Sequence, residues 1–205
     1  MKATFLILVL LVTASFCFGI IQFNLGADLA GNHHTKIKYM IDNPSYDDYT
    51  DEDDYEVAMG ISPAIEYMLR HEGFLYGLGA EYQVQRDGTF KDEDGNPDKN
   101  KIGIIPIYGV VRYQFDSAVG INPELIGQAG YNFFTADDDY KFDGTLKGGL
   151  YWGIGAGLAI RKNYILQVMY KTNYGLHEGR AYDATAGYFD YENRVTNSQI
   201  NISFG

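Results

Sequence analysis

The chain has one cysteine in 205 residues, which excludes an internal disulfide and any thiolate cluster for zinc or an iron–sulfur centre. Basic residues are also scarce: 16 Lys and Arg stand against 27 Asp and Glu, a formal net charge of -11. Nucleic acid is thereby excluded as a partner, since its phosphates require a basic stripe. Long apolar runs are missing beyond Ile21, where every window is interrupted by Gly, Gln, Asn or a charge. With a mean hydropathy of -0.22, a polytopic helical membrane protein is excluded as well. Aromatics and glycine are plentiful instead, with 18 Tyr, 12 Phe and 24 Gly. Disordered chains are poor in aromatics, so the composition describes one strand-built domain.

The N-terminus carries the one long apolar run. Lys2 precedes Phe5 to Val12, and small residues at Cys17 and Gly19 follow. This order predicts a secretory signal over residues 1–19, cleaved before Ile20. An uncleaved anchor helix is the alternative. Lipidation at Cys17 is disfavoured by bulky Phe16. A mature chain from 20 to 205 would contain no cysteine, which suits export to an oxidising compartment.

From there the hydrophobic period is two. Phe74, Tyr76, Leu78, Ala80, Tyr82 and Val84 share one face, against Leu75, Gly77, Gly79, Glu81, Gln83 and Gln85. Leu150 to Arg161 repeats the pattern, as do Tyr164 to Tyr174 and Gln199 to Phe204. Alternation of this length indicates strands. Eight are expected, over 20–31, 55–70, 73–86, 102–115, 118–134, 146–161, 163–175 and 193–204. Each reaches the ~9–11 residues that cross a bilayer core when tilted.

The expected connections alternate in length. His71-Glu72, Asp116-Ser117 and Lys162 are short, whereas 32–54, 87–101, 135–145 and 176–192 are long and polar. Short turns at one end and long loops at the other are the asymmetry of outer-membrane barrels. The faces agree. One carries large apolar residues, and the other carries Gly, Gln and Asn with Asp28, Glu66, Glu81, Arg112, Glu124 and Lys171. Charges set among glycines suit a cramped interior, with hydrocarbon outside. A soluble lipocalin-like barrel would reverse the two faces. Aromatic residues fall in two groups: Tyr67, Phe74, Tyr76, Tyr113, Phe115, Tyr164 and Phe204 toward the short turns, and Tyr82, Tyr131, Phe133, Trp152, Tyr170 and Tyr174 toward the long loops. Two such belts match the two interfaces of a membrane.

Two stretches of sequence carry a family resemblance. Ile105-Pro106-Ile107-Tyr108-Gly109-Val110-Val111-Arg112-Tyr113 and Pro123 to Phe133 resemble consecutive strands of the outer membrane β-barrel (porin-like) family. Gly149 to Gly157 and Tyr170 to Gly175 resemble its later strands. The architecture is similar to that of small outer membrane protein A/X-type and adhesin-like barrels. The resemblance implies an eight-stranded antiparallel up-and-down transmembrane barrel in the outer membrane of a diderm bacterium. It also implies contact with outer-membrane lipid and with the barrel-assembly machinery, which commonly reads a terminal Phe. Here Phe204 is followed by Gly205.

An eight-stranded barrel is narrow enough for side chains to fill. Glu66, Glu81 and Glu124 with Arg112 and Lys171 are therefore expected to form an internal polar network, because buried charges need partners. A narrow gated pore is the alternative. The run Asp47 to Glu56, the triplet Asp137-Asp138-Asp139 and the stretch Lys91 to Asp98 concentrate acid in the long connections. A solvated, repulsive face is expected there. Loop tyrosines Tyr46, Tyr49, Tyr55, Tyr140, Tyr182, Tyr188 and Tyr191 offer contact area for host or cell-surface ligands. Lipid-modifying enzymes exist on such barrels, but each needs a His near a Ser or acid on the rim. The histidines here are His33, His34, His71 and His177. His71 lies in a short turn on the wrong side, His177-Glu178 has no accompanying His-x-Ser pattern, and His33-His34 lacks ligand spacing. No catalytic residue, cofactor or metal is therefore expected. The reading is a monomeric, non-catalytic outer-membrane barrel with a structural, adhesion or surface-interaction role.

Overall fold

The computed structural model describes residues 19–57, 59–87, 101–136, 144–160, 164–183 and 187–205. Most of the expected signal segment, the acidic stretch 91–98 and the Asp137–Asp139 triplet lie outside these residues. So does Tyr140.

Period-two alternation produces strands throughout, and all of them join one antiparallel sheet. The segments are β1 (Ile20–Ile41), β2 (Tyr49–Val57), β3 (Gly60–His71), β4 (Phe74–Glu81), β5 (Gln83–Asp87), β6 (Lys101–Gln114), β7 (Ile121–Ala136), β8 (Gly144–Ile160), β9 (Tyr164–Asp183) and β10 (Gly187–Phe204). Consecutive strands pair except at two places: β2 and β3 both lie along β1, and β4 and β5 both lie along β6. The sheet closes on itself, because β1 also pairs with β10 from Leu25↔Phe204 to Ile41↔Phe189. Closure leaves no free edge between the first and last strands.

Among the described residues, ten segments stand where eight strands were expected, through two interruptions. The inner half of β1 pairs with β3 and its outer half with β2, so β2 and β3 lie in line along one partner. Glu81 and Gln83 flank a break at Tyr82, whose N–H still donates to the Pro63 carbonyl at 2.9 Å. Two expected loops prove to be strand. The stretch 32–54 contains the end of β1 and the start of β2, joined by 42–48 alone, and 176–192 contains the paired ends of β9 and β10. These extensions carry polar residues on both faces, so no hydrophobic period marks them, while the backbone ladder continues. Tyr49, Tyr55, Tyr182, Tyr188 and Tyr191 therefore stand on strands.

A bulge between Asp28 and Ala30 reverses which residues face inward. Before it, Asn24 and Asp28 are buried; beyond it, His33 and Thr35 are. One extra residue in a strand has this effect because the side-chain period is two.

The two faces of the sheet are opposite in character. Phe23, Leu25, Leu78 and Ile154 are exposed, each above 60%. Glu66, Arg112, Glu124, Asn132 and Asn173 are buried. A mixed inner layer of Met68, Leu75, Tyr108, Val110, Ile126, Tyr151 and Met169 packs among these polar groups. The aromatics pair where the sequence groups them. Phe74 meets Tyr113 at 4.9 Å and Tyr164 stacks on Phe204 at 5.7 Å toward the short turns. Tyr131 meets Phe133 at 5.1 Å and Trp152 meets Tyr170 at 5.7 Å toward the other end.

Candidate functional site: the enclosed polar network

The inward face of β6 sets Tyr108, Val110, Arg112 and Gln114 at alternate positions. From there Arg112 reaches two neighbouring strands. Its Nη2 donates to Glu66 Oε2 of β3, and its Nη1 lies 3.5 Å from Glu124 Oε2 of β7. Arg112 and both carboxylates have no exposed side-chain surface. Glu66 Oε1 also accepts from Tyr108 Oη at 3.1 Å and from Gln128 Nε2 at 3.2 Å. Tyr151 Oη donates to Gln128 Oε1 at 2.6 Å. On the side of the short turns, Gln114 Nε2 donates to Glu124 Oε1 at 2.9 Å, and Arg70 Nη1 donates to Gln114 Oε1 at 3.1 Å.

A second cluster forms across the lumen. Lys171 Nζ of β9 donates to Glu81 Oε2 of β4 at 2.7 Å. Gln83 Nε2 donates to the other Glu81 oxygen at 3.1 Å, and Asn173 Nδ2 donates to Gln83 Oε1 at 3.2 Å. At the closing seam, Asn201 Nδ2 donates to Asp28 Oδ1 at 2.6 Å and to Ser62 Oγ at 2.8 Å.

All five residues singled out in the sequence thus face the interior, and the structure divides them in two: Glu66, Arg112 and Glu124 together, Glu81 and Lys171 together. Sequence reasoning left out the neutral members, Tyr108, Tyr151, Gln83, Gln114 and Gln128. Their signal was parity, since Tyr108 is even-numbered like Arg112 on the same strand. The aromatic rings enter because small residues face them. A Cβ on Gly79 would lie 2.5 Å from the Tyr108 ring, so that ring lies over a bare backbone. Tyr108 and Tyr151 then meet at 5.3 Å between centroids.

The histidines have separate surroundings. His34 Nδ1 lies 3.0 Å from Asp54 Oδ1 on the outward face. His177 packs edge-on to Tyr191 at 5.3 Å, and burial holds its imidazole below the ordinary histidine range. At the projecting hairpin, the hydrogen bond from Lys36 holds the Glu52 carboxyl below its ordinary value.

No protein-family model and no curated protein sequence matches the chain. Solved structures match it in shape. The outer membrane protein OprG from Pseudomonas aeruginosa is 12% identical with a TM-score of 0.50, over 89% of this chain and 94% of OprG. Neisserial surface protein A is 15% identical with a TM-score of 0.45, over 90% of this chain and 97% of that one. Outer membrane protein AlkL is 10% identical with a TM-score of 0.45, over 89% of each. The closed antiparallel sheet, its inverted polarity and the likeness to OprG agree: this chain has the fold of the small outer membrane β-barrel proteins.

Proposed function

We propose that the ten segments work as eight staves, β2 with β3 and β4 with β5 each counting once, of a monomeric transmembrane barrel in a bacterial outer membrane. Residues 1–19 serve as the cleaved export signal. The barrel is filled and non-catalytic, and its role is structural or one of surface interaction. Its outer contact is lipid, and Phe204 serves recognition by the assembly machinery. The strands that project beyond the aromatic belt present acidic and tyrosine-rich surface to cell-surface or host ligands.

One observation carries this reading. Arg112, Glu66 and Glu124 are enclosed while Phe23, Leu25, Leu78 and Ile154 are exposed. In water, exposing that apolar band would cost roughly 25 cal/mol for every Å², whereas in a bilayer it meets hydrocarbon. The test is gel mobility of the mature chain from the outer-membrane fraction, boiled against unboiled. A heat-dependent shift is expected. No shift, with the protein in the soluble periplasmic fraction, overturns the reading.

A further inference from the structure

The outward face carries a feature that a plain lipid-facing wall does not need. The register joins His34 of β1 to Thr196 of β10, and Thr196 to Tyr174 of β9. One outward-facing step further along, Lys36 pairs with Arg194, Arg194 with Leu176, and Leu176 with Lys147. Three exposed cations therefore stand in one cross-strand row of a chain whose formal net charge is -11.

Between the two rows runs an open groove of about 540 Å³, lined by the cations Lys36 and Arg194, by His34 and Tyr174, and by one carboxylate, Glu192. Its floor is the backbone of Gly148, Gly149 and Gly175. A bulge in β8 brings this backbone close to its neighbours. A Cβ at Gly148 would lie 1.8 Å from the Asn132 carbonyl oxygen, and one at Gly149 would lie 2.5 Å from that of Tyr174. Side chains at Gly148 and Gly149 would therefore collide with neighbouring backbone.

Its position points to a membrane ligand. Arg194 is as far along β10 from Phe204 as Tyr174 is along β9 from Tyr164. Tyr174 follows Trp152 and Tyr170 in the outer aromatic group, so the groove opens where that belt meets lipid headgroups. The cations have protein partners, but exposed ones. Lys36 bonds Glu52, Arg194 Nε lies 2.8 Å from Glu192 Oε1, and His34 lies 3.0 Å from Asp54. Exposed pairs contribute little. A phosphate that offers an arginine fork two oxygens competes well with such partners.

We infer that this groove binds the phosphate-bearing headgroup of an outer-leaflet lipid. Lys36 and Arg194 take the phosphate, and Tyr174 packs against the headgroup's polyol or sugar. The inference rests on the membrane reading above.

The probe is lipid A, a disaccharide lipid carrying phosphate groups, compared with the same lipid dephosphorylated. Binding to the folded chain in detergent is read by native mass spectrometry. Wild type is expected to retain one phosphorylated lipid, and Lys36→Gln with Arg194→Gln to weaken retention about tenfold or more. Arg194→Lys, which keeps the charge without the fork, is expected to fall between. Lys38→Gln, one outward-facing step beyond the row, is expected to match wild type. Equal retention by the double variant overturns the inference, as does equal retention of the dephosphorylated lipid. Displacement by inorganic phosphate at the lipid's own concentration also overturns it, since the lipid would then add nothing. Heat-dependent mobility of each variant is measured alongside. A normal shift with unchanged lipid retention defeats this inference alone, whereas no shift in wild type defeats the membrane reading.

Discussion

Arg112 has no exposed side-chain surface and lies between two carboxylates that have none either. Its removal leaves Glu66 and Glu124 enclosed without their cation, which costs about 3–5 kcal/mol for a buried pair broken on one side. Arg112→Met is therefore expected to lower the urea midpoint of refolded protein in lipid vesicles by that free energy. Adding Glu66→Gln and Glu124→Gln to Arg112→Met is expected to recover most of the loss, because the orphaned charge is gone. If the single variant unfolds at the wild-type midpoint, the network is not a stabilising element. A second residue is strained in the other direction. Glu72 has a φ of 52° in the turn between β3 and β4, where a side chain costs about 1–2 kcal/mol. Glycine removes that cost but adds unfolded-state entropy. Glu72→Gly is thus expected to raise stability by about 0.5–1 kcal/mol in the same assay, and Glu72→Val to lower it.

At the scale of elements, the strand segments with an apolar outer face were legible and their polar extensions were not. In Leu150 to Ile160 the alternation sets exposed apolar residues on one side against a packed interior on the other, so sequence and structure agree residue by residue. In 32–41 and 49–57 the outer face carries His34, Lys36, Lys38, Glu52 and Asp54 in place of apolar residues. The period vanishes from the sequence while the ladder persists. The bulge at Asp28/Ala30 was illegible for a related reason, since it changes the parity of a strand with no glycine between those residues, whereas the one at Gly148/Tyr151 is marked by Gly148-Gly149. The five charged site residues were found because a charge among glycines is conspicuous, whereas Tyr108 and Tyr151 look like ordinary strand aromatics. What holds the projecting hairpin can be checked by titration. Glu52 titrates below its ordinary value of 4.5 chiefly through its hydrogen bond with Lys36. A carboxyl depressed in the folded state contributes above its unfolded pKa and loses that contribution as pH falls through the folded one. Amide exchange at the tips of β1 and β2 is therefore expected to show protection above about pH 5 that declines in stronger acid. In Glu52→Gln, protection from this pair should no longer change across that window. Identical pH profiles for the two proteins would remove the ion pair from the account.

The sheet closes into a ring whose bore is filled by side chains from strands on either side of β7 and from the facing strands β4 and β9. Tyr108 of β6 and Tyr151 of β8 meet above Glu66 and Gln128, and Lys171 of β9 reaches Glu81 of β4. Such contacts are possible where a barrel of about eight strands encloses a bore about one side-chain layer wide on each wall. They decide between a plug and a pore. If the aromatic pair and the ion clusters fill the bore, wild type is expected to give no stable conductance steps in a planar bilayer. Tyr108→Ala with Tyr151→Ala removes both rings and leaves Gly79 facing an open space, which water would enter. That variant is expected to conduct, and to prefer cations, because the buried carboxylates Asp28, Glu66, Glu81 and Glu124 outnumber the buried cations Arg112 and Lys171. Steps in wild type would make the bore a pore and the clusters its lining. A silent double variant with an intact heat shift would mean that the ion clusters block the bore without the rings. Adding Lys171→Ala, which removes the one cation reaching Glu81 from the opposite wall, would then be the change expected to open it.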